Sequence, residues 1–236
     1  MNLYNLKARI YPVILSLIPV IFIGSVYSFH LQSYYQVLTS LGITTALYFL
    51  FSQLGRDKGK ALEKEMWRKW RGTPTTQILR FSNDIIDKHT KSRYHQKLKK
   101  LTNIGNELDE EFEKNLPQKA DEIYQSWTKF LLSKTRDTKK YNLLFQENIN
   151  YGFRRNLLGL KRIAILIIIL LMISSFLYSF IMNEYIVKFS SELLISEIIL
   201  ILILIFWLGI VRENWIKTVA FSYAERLIET INTISE

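Results

Sequence analysis

Apolar and polar residues are segregated along this chain into long blocks rather than mixed. Ile10 to Phe29 and Tyr35 to Leu54 are runs without a charged residue, as is Ile163 to Met182, and Leu193 to Val211 is broken only by Glu197. A helix of about 20 residues crosses a hydrocarbon core of about 30 Å, so this pattern predicts four transmembrane helices. Between the second and third runs the pattern becomes amphipathic with helical spacing. Leu54, Ala61, Leu62, Met66, Trp67 and Trp70 recur near a 3.6-residue period, extending the second span as one helix to a glycine stop at Arg71-Gly72. Thr73-Pro74 then reads as an N-cap followed by proline in the first turn, opening a helix through Ile78, Leu79, Phe81, Ile85 and Ile86. Asp121 to Lys134 is a further amphipathic helix, with Ile123, Trp127, Phe130 and Leu131 on one face, and Phe145 to Lys161 leads into the third span.

The expected fold is therefore an all-α membrane protein with four transmembrane helices and a mostly helical insert between helices 2 and 3. Residues 1–54 supply the first helix pair, 55–162 the insert, 163–211 the second pair, and 212–236 a C-terminal helix. Pro12 and Pro19 fall in the first span and predict a kink, because proline removes a backbone donor. Gly42 and Ala46, four apart beside Thr45, suit a close helix approach. The first span is too long, and too closely followed by the second, to read as a cleaved signal peptide.

Charge sharpens this picture. The 236-residue chain carries a net charge of +10, while Gly55 to Arg162 alone holds 25 Lys and Arg against 14 Asp and Glu, a surplus of 11. Lys7 and Arg9 precede the first span and Arg212, Lys217 and Arg226 follow the fourth, whereas the opposite loops hold only Lys188. The positive-inside bias then predicts that both termini and the insert are cytoplasmic.

The chain has no cysteine, which excludes disulfides, cysteine nucleophiles and cysteine-ligated metals. Its three histidines, His30, His89 and His95, form no recognised catalytic or metal spacing, and no Gly-rich phosphate loop or nucleophile elbow is present. No catalytic residue, metal site or cofactor is expected. The one enzymatic alternative would use Asp84, Asp87 and His89.

The basic insert instead suggests binding. Arg56, Lys60, Arg68, Arg71, Arg80, Lys91, Arg93 and Lys97 are interleaved with aromatic residues such as Trp67, Trp70, Phe81 and Tyr94. Cations neutralise phosphates and aromatic faces stack bases, the combination that a single-stranded nucleic acid or a cyclic or linear nucleotide requires. The hydroxyls of Thr73, Thr75 and Thr76 lie at a helix start, where phosphate oxygens are well received. Basic residues next to the inner leaflet also bind anionic membrane lipid, and the residues alone leave a polyanionic ligand and a lipid role both open. Glu197, the one acid inside a span, would form a carboxylate ring favouring cations if four or five copies surrounded an axis. It also lies within reach of the outer surface.

The segment Leu54 to Arg80, LGRDKGKALEKEMWRKWRGTPTTQILR, resembles bacterial anti-phage defence membrane proteins, in particular the transmembrane effector of Hailong-type systems. That resemblance implies a homo-oligomeric, tetrameric ion channel of the bacterial inner membrane. An oligodeoxynucleotide made by a partner nucleotidyltransferase would hold it shut, and loss of the oligonucleotide would open it and depolarise the cell. On matching positions the resemblance assigns ligand contacts to Arg56, Lys60, Trp70, Arg71, Thr73, Thr75, Thr76 and Arg80. The rival of another class is a non-conducting scaffold whose basic insert binds acidic lipid or a protein.

Overall fold

The structure is a computed structural model that describes residues 3–28, 34–187 and 189–234, with the side chains of 28, 34–44 and 47 also outside the description. All regular elements among the described residues are helical. A short π-helical segment, Asn5–Ile10, precedes α1 (Tyr11–Ser28), followed by α2 (Tyr34–Lys69), α3 (Pro74–Leu79), α4 (Lys88–Thr102), α5 (Glu110–Asn115), α6 (Pro117–Lys134), α7 (Asn142–Met182), α8 (Ser191–Gly209) and α9 (Glu213–Glu229). The chain divides into two compact units, Met1–Glu63 with Gly152–Ile216, and Lys64–Tyr151 with Lys217–Glu236.

Among the described residues three helices are long and apolar enough to cross a membrane, Asn5–Tyr27, Asn142–Met182 and Ser191–Gly209, which mark the chain as a membrane protein; the first unit holds the first and third and, from Gly152 onward, the second. The remaining expected span, Tyr35 to Leu54, lies on α2, but about half of its side chains fall outside the described residues, as do His30 and Lys188. So does Gly42, the residue expected at a close helix approach. Val13, Leu17, Phe51, Leu157, Leu160, Ile168, Leu200 and Trp207 form the core of this unit. Leu166, Leu170, Ile173 and Leu202 are exposed and apolar, as on helices that are hydrophobic all round.

The closest approach in this unit is a glycine seam between α2 and α7. A Cβ placed on Gly159 would lie 2.7 Å from both the Gly55 oxygen and the Gly59 nitrogen, so the two backbones touch there. Polar bonds flank the seam. Asn156 Nδ2 donates to the Ala8 carbonyl (2.7 Å), and Arg155 Nη1 donates to Glu63 Oε1 (2.8 Å) with both side chains mostly buried. Arg154 Nη1 donates to the Trp215 carbonyl (2.8 Å) with its guanidinium over that residue's ring, and Lys161 Nζ donates to the Val211 carbonyl (2.7 Å) just beyond α8. Lys161 thus meets a carbonyl just past the C-terminal end of α8, where helix carbonyls lack intrahelical partners.

The second unit is built around α6. Tyr124, Trp127 and Leu131 pack with Ile78 and Leu79 of α3 and Leu98 of α4. Ala224, Leu227, Ile228, Ile231 and Ile234 complete the same core, so the stretch read as a separate C-terminal helix contributes much of this unit's interior. Local chemistry sets the helix boundaries. Asp87 Oδ1 accepts from the Thr90 backbone to cap α4, Asp109 does the same for α5 from Phe112, and Pro117 occupies the first position of α6. The helix expected to run from Thr73-Pro74 through Ile86 stops at Leu79, because Arg80 turns to extended backbone and its side chain is drawn to Asp121. The stretch from Ile104 to Leu116, too polar to assign from its pattern, contains α5.

Candidate ligand-binding surface

The turn that joins α2 to α3 is the centre of the predicted binding motif. After Lys69 the chain passes through Arg71 (φ 64°) and Gly72 (φ 132°), and Gly72 donates its N–H to the Trp67 carbonyl (2.8 Å). This closes α2 with two left-handed residues, a conformation that glycine adopts freely and arginine adopts at a cost. Thr73 then caps α3. Its Oγ1 accepts from the Thr76 backbone (3.3 Å) and lies 2.9 Å from the Thr76 hydroxyl and 3.1 Å from that of Thr75. Thr75 and Thr76 are buried, so these three hydroxyls serve one another and the cap.

Arg80 is held in a fork. Its Nε and Nη2 donate to the two carboxylate oxygens of Asp121 (2.9 and 2.6 Å), and Nη2 also donates to the Arg71 carbonyl (2.8 Å). The hydrogen-bonded Asp121 carboxylate raises the guanidinium pKa further above its ordinary value. Glu113 ties neighbouring strands of chain together by accepting from the Phe81 backbone (3.0 Å) and from the Tyr124 hydroxyl (2.5 Å). Burial, and then Glu113, pushes the Tyr124 phenol upward. A cavity of about 510 Å³ opens beside this network, lined by Arg71, Arg80 and Lys114 together with Glu110, Glu113 and Asp121. Its cations and acids are equal in number, so it is not a uniformly positive pocket.

Helix α4 separates its cations by face. Lys91 is buried, its ammonium donating to the Arg80 carbonyl (2.7 Å) and to the Asn83 carbonyl, and burial lowers its pKa. His95 is also buried, with Nε2 2.8 Å from the Leu79 oxygen and its ring against Phe81, Tyr124 and Trp127. Desolvation lowers its pKa to about 4, so the imidazole is neutral near neutral pH. On the outer face Arg93 is exposed above the Tyr94 ring and Lys97 is partly exposed.

The predicted ligand residues therefore fall into separate groups. Arg56 and Lys60 belong to the first unit and the other ten to the second. Trp70 is 8% exposed with its ring beside Phe221, and Thr75, Thr76 and Lys91 are interior. Arg68, Arg71 and Arg93 are exposed, with Arg80 and Lys97 between these extremes. Asp84, Asp87 and His89 are all exposed, and Asp87 is occupied as a helix cap. Glu197 is 8% exposed and directed at Ser175 within its own unit.

Two structural groups were not singled out from sequence. The Gly55-x-x-x-Gly59 spacing was a readable signal for the seam with Gly159, whereas nothing in the local pattern of Glu113 foretells its two distant donors. No family model matches the chain, and no curated protein or solved structure does either.

Proposed function

We propose that this protein is a ligand-gated, oligomeric channel of the bacterial inner membrane, acting as an anti-phage effector. Its second unit binds an oligodeoxynucleotide or nucleotide signal supplied by a partner nucleotidyltransferase. In this reading Tyr35 to Leu54 is a fourth span, both termini and the basic unit are cytoplasmic, and four copies surround the pore. The observation that carries the reading is the pairing of apolar membrane helices with a second compact unit that exposes Arg68, Arg71 and Arg93. Exposed guanidinium groups suit phosphate, and the burial of Trp70 and the capping role of Thr73 make those residues supports for the turn rather than direct contacts.

Filter binding of full-length protein with short oligodeoxyadenylates across a salt series tests the ligand half. Wild type is expected to bind with a steep salt dependence. The double variant Arg93→Ala/Lys97→Ala should lose about 1.4 from the log–log slope, at about 0.7 per phosphate contact on a single strand. No binding at low salt refutes the nucleic-acid reading. Planar-bilayer recording tests the channel half, and absence of conductance with and without oligonucleotide favours a scaffold that binds lipid or protein.

A further inference from the structure

We propose that Glu197, Ser175, Ser196 and Tyr27 form a binding site for one monovalent cation, an alkali ion or a proton, inside the membrane unit. The site is argued from hydrogen-bond accounting. Ser175 Oγ on α7 is within bonding distance of both the Met172 carbonyl (2.8 Å) and Glu197 Oε1 on α8, yet a hydroxyl has one proton. It satisfies one acceptor and leaves the other facing an oxygen. Glu197 Oε2 is buried with no hydrogen-bond partner among the described residues. The carboxyl group thus has at most one protein donor, although an ionised carboxylate has about four acceptor positions to fill.

Among the described residues, the helices packed around Glu197 provide no compensating charge. Tyr11–Ser28, residues 163–182 and Ser191–Gly209 contain no lysine, arginine or histidine. A buried acid in such surroundings requires a positive charge from elsewhere, and ionisable groups inside membrane helices commonly mark ion or proton sites. The other groups around Glu197 are neutral oxygens. Ser196 is fully buried next to it in sequence on α8, with its hydroxyl lacking a hydrogen-bond partner among the described residues, and Tyr27 of α1 is the nearby phenol. Tyr27 packs edge-on against Tyr178 of α7 at 4.9 Å. Both tyrosines also line a cavity of about 80 Å³ with Ser179, Asn183 and Glu192, which gives the cluster a polar neighbour. Oxygen donors with a single buried carboxylate suit a hard ion of charge +1.

The inference rests on the membrane reading and not on the nucleic-acid ligand. It is tested by thermal unfolding of the full-length protein in detergent. One arm replaces choline chloride by sodium chloride at constant ionic strength and pH 8, and the other varies pH from 8 to 5 in choline chloride. An alkali-ion site predicts a rise in melting temperature of about 3 °C at ten times the dissociation constant, present in wild type, weaker in Ser175→Ala and absent in Glu197→Gln. A proton site instead predicts that only the pH arm separates wild type from Glu197→Gln. Parallel behaviour of wild type and Glu197→Gln in both arms overturns the proposal, as does a wild type that responds in neither. If Glu197→Gln does not fold, an unchanged response in Ser175→Ala is the overturning result. Loss of channel conductance in every condition would leave this melting difference in place, so the two readings fail separately.

Discussion

Replacing Gly159 by alanine adds one methyl group where two helix backbones already meet. The new Cβ would lie 2.7 Å from Gly55 O, 2.7 Å from Gly59 N and 3.1 Å from Gly59 Cα. All three are backbone atoms, so no rotamer change relieves the contact, and α2 and α7 must separate locally towards an ordinary distance of about 3.4 Å or more. Overpacking of this kind costs about 1–3 kcal/mol. At about 2–4 °C per kcal/mol for a chain of this size, a cost of about 2 kcal/mol lowers the melting temperature by about 4–8 °C. Tryptophan fluorescence melting in detergent measures it. The controls are Gly24→Ala and Gly209→Ala, where a Cβ meets nothing within 4 Å and alanine's lower helix entropy cost should leave stability unchanged or raised by about 0.5–1 kcal/mol. A Gly159→Ala protein that melts with wild type, or controls that fall equally far, would refute the seam as a stabilising contact.

Three further outcomes are expected. Glu63→Ala leaves the mostly buried Arg155 guanidinium without its carboxylate and should cost about 3 kcal/mol in denaturant unfolding; a change below about 0.5 kcal/mol would show that the ion pair is dispensable. His95, neutral in the fold with a pKa of about 4, takes up its proton in the unfolded chain near 6.5, so stability is full above about pH 7 and falls as pH drops from about 6.5 to 4. The loss approaches about 3 kcal/mol, and Glutamine at this position (His95→Gln) should flatten the curve between those pH values; an unchanged wild-type slope in the variant argues against it. Asp121→Ala removes both acceptors of the Arg80 fork and, with these side chains about one-quarter exposed, should cost about 1–2 kcal/mol, read as increased protease cutting near Arg80; protection equal to wild type would contradict the proposed role of the fork.

Features governed by neighbouring residues were legible in the sequence. The Thr73-Pro74 helix start, the Gly72 stop and the apolar face of α6 depend on local backbone chemistry and helical periodicity, and each is present. The length of α3 was not legible, because Arg80 ends it through a carboxylate 41 residues away. The basic patch was legible as composition and less so as surface. Counting charges cannot distinguish Lys91, whose ammonium meets two carbonyls in the interior, from Arg93 two residues later on the exposed face. The same limit applies to Arg154, Arg155 and Lys161, three cations of the insert's end that are bonded to Trp215, Glu63 and Val211. Glu197 was conspicuous as an acid in an apolar run, while its relation to Ser175 required the packing of α7 on α8.

The core around Trp127 has a consequence for biosynthesis. Its residues come from Lys64–Tyr151 and Lys217–Glu236, and the intervening Gly152–Ile216 carries most of α7 and all of α8. At about 5–20 residues per second a ribosome takes roughly 3–13 s to make that interval. During this time the emerging unit lacks Leu227, Ile228 and Ile231, and apolar surface of Ile123, Tyr124 and Leu131 has no final partner. The unit can close its interior only after two further membrane helices have been synthesised, which makes its maturation report on their completion and gives chaperones a defined interval in which to bind.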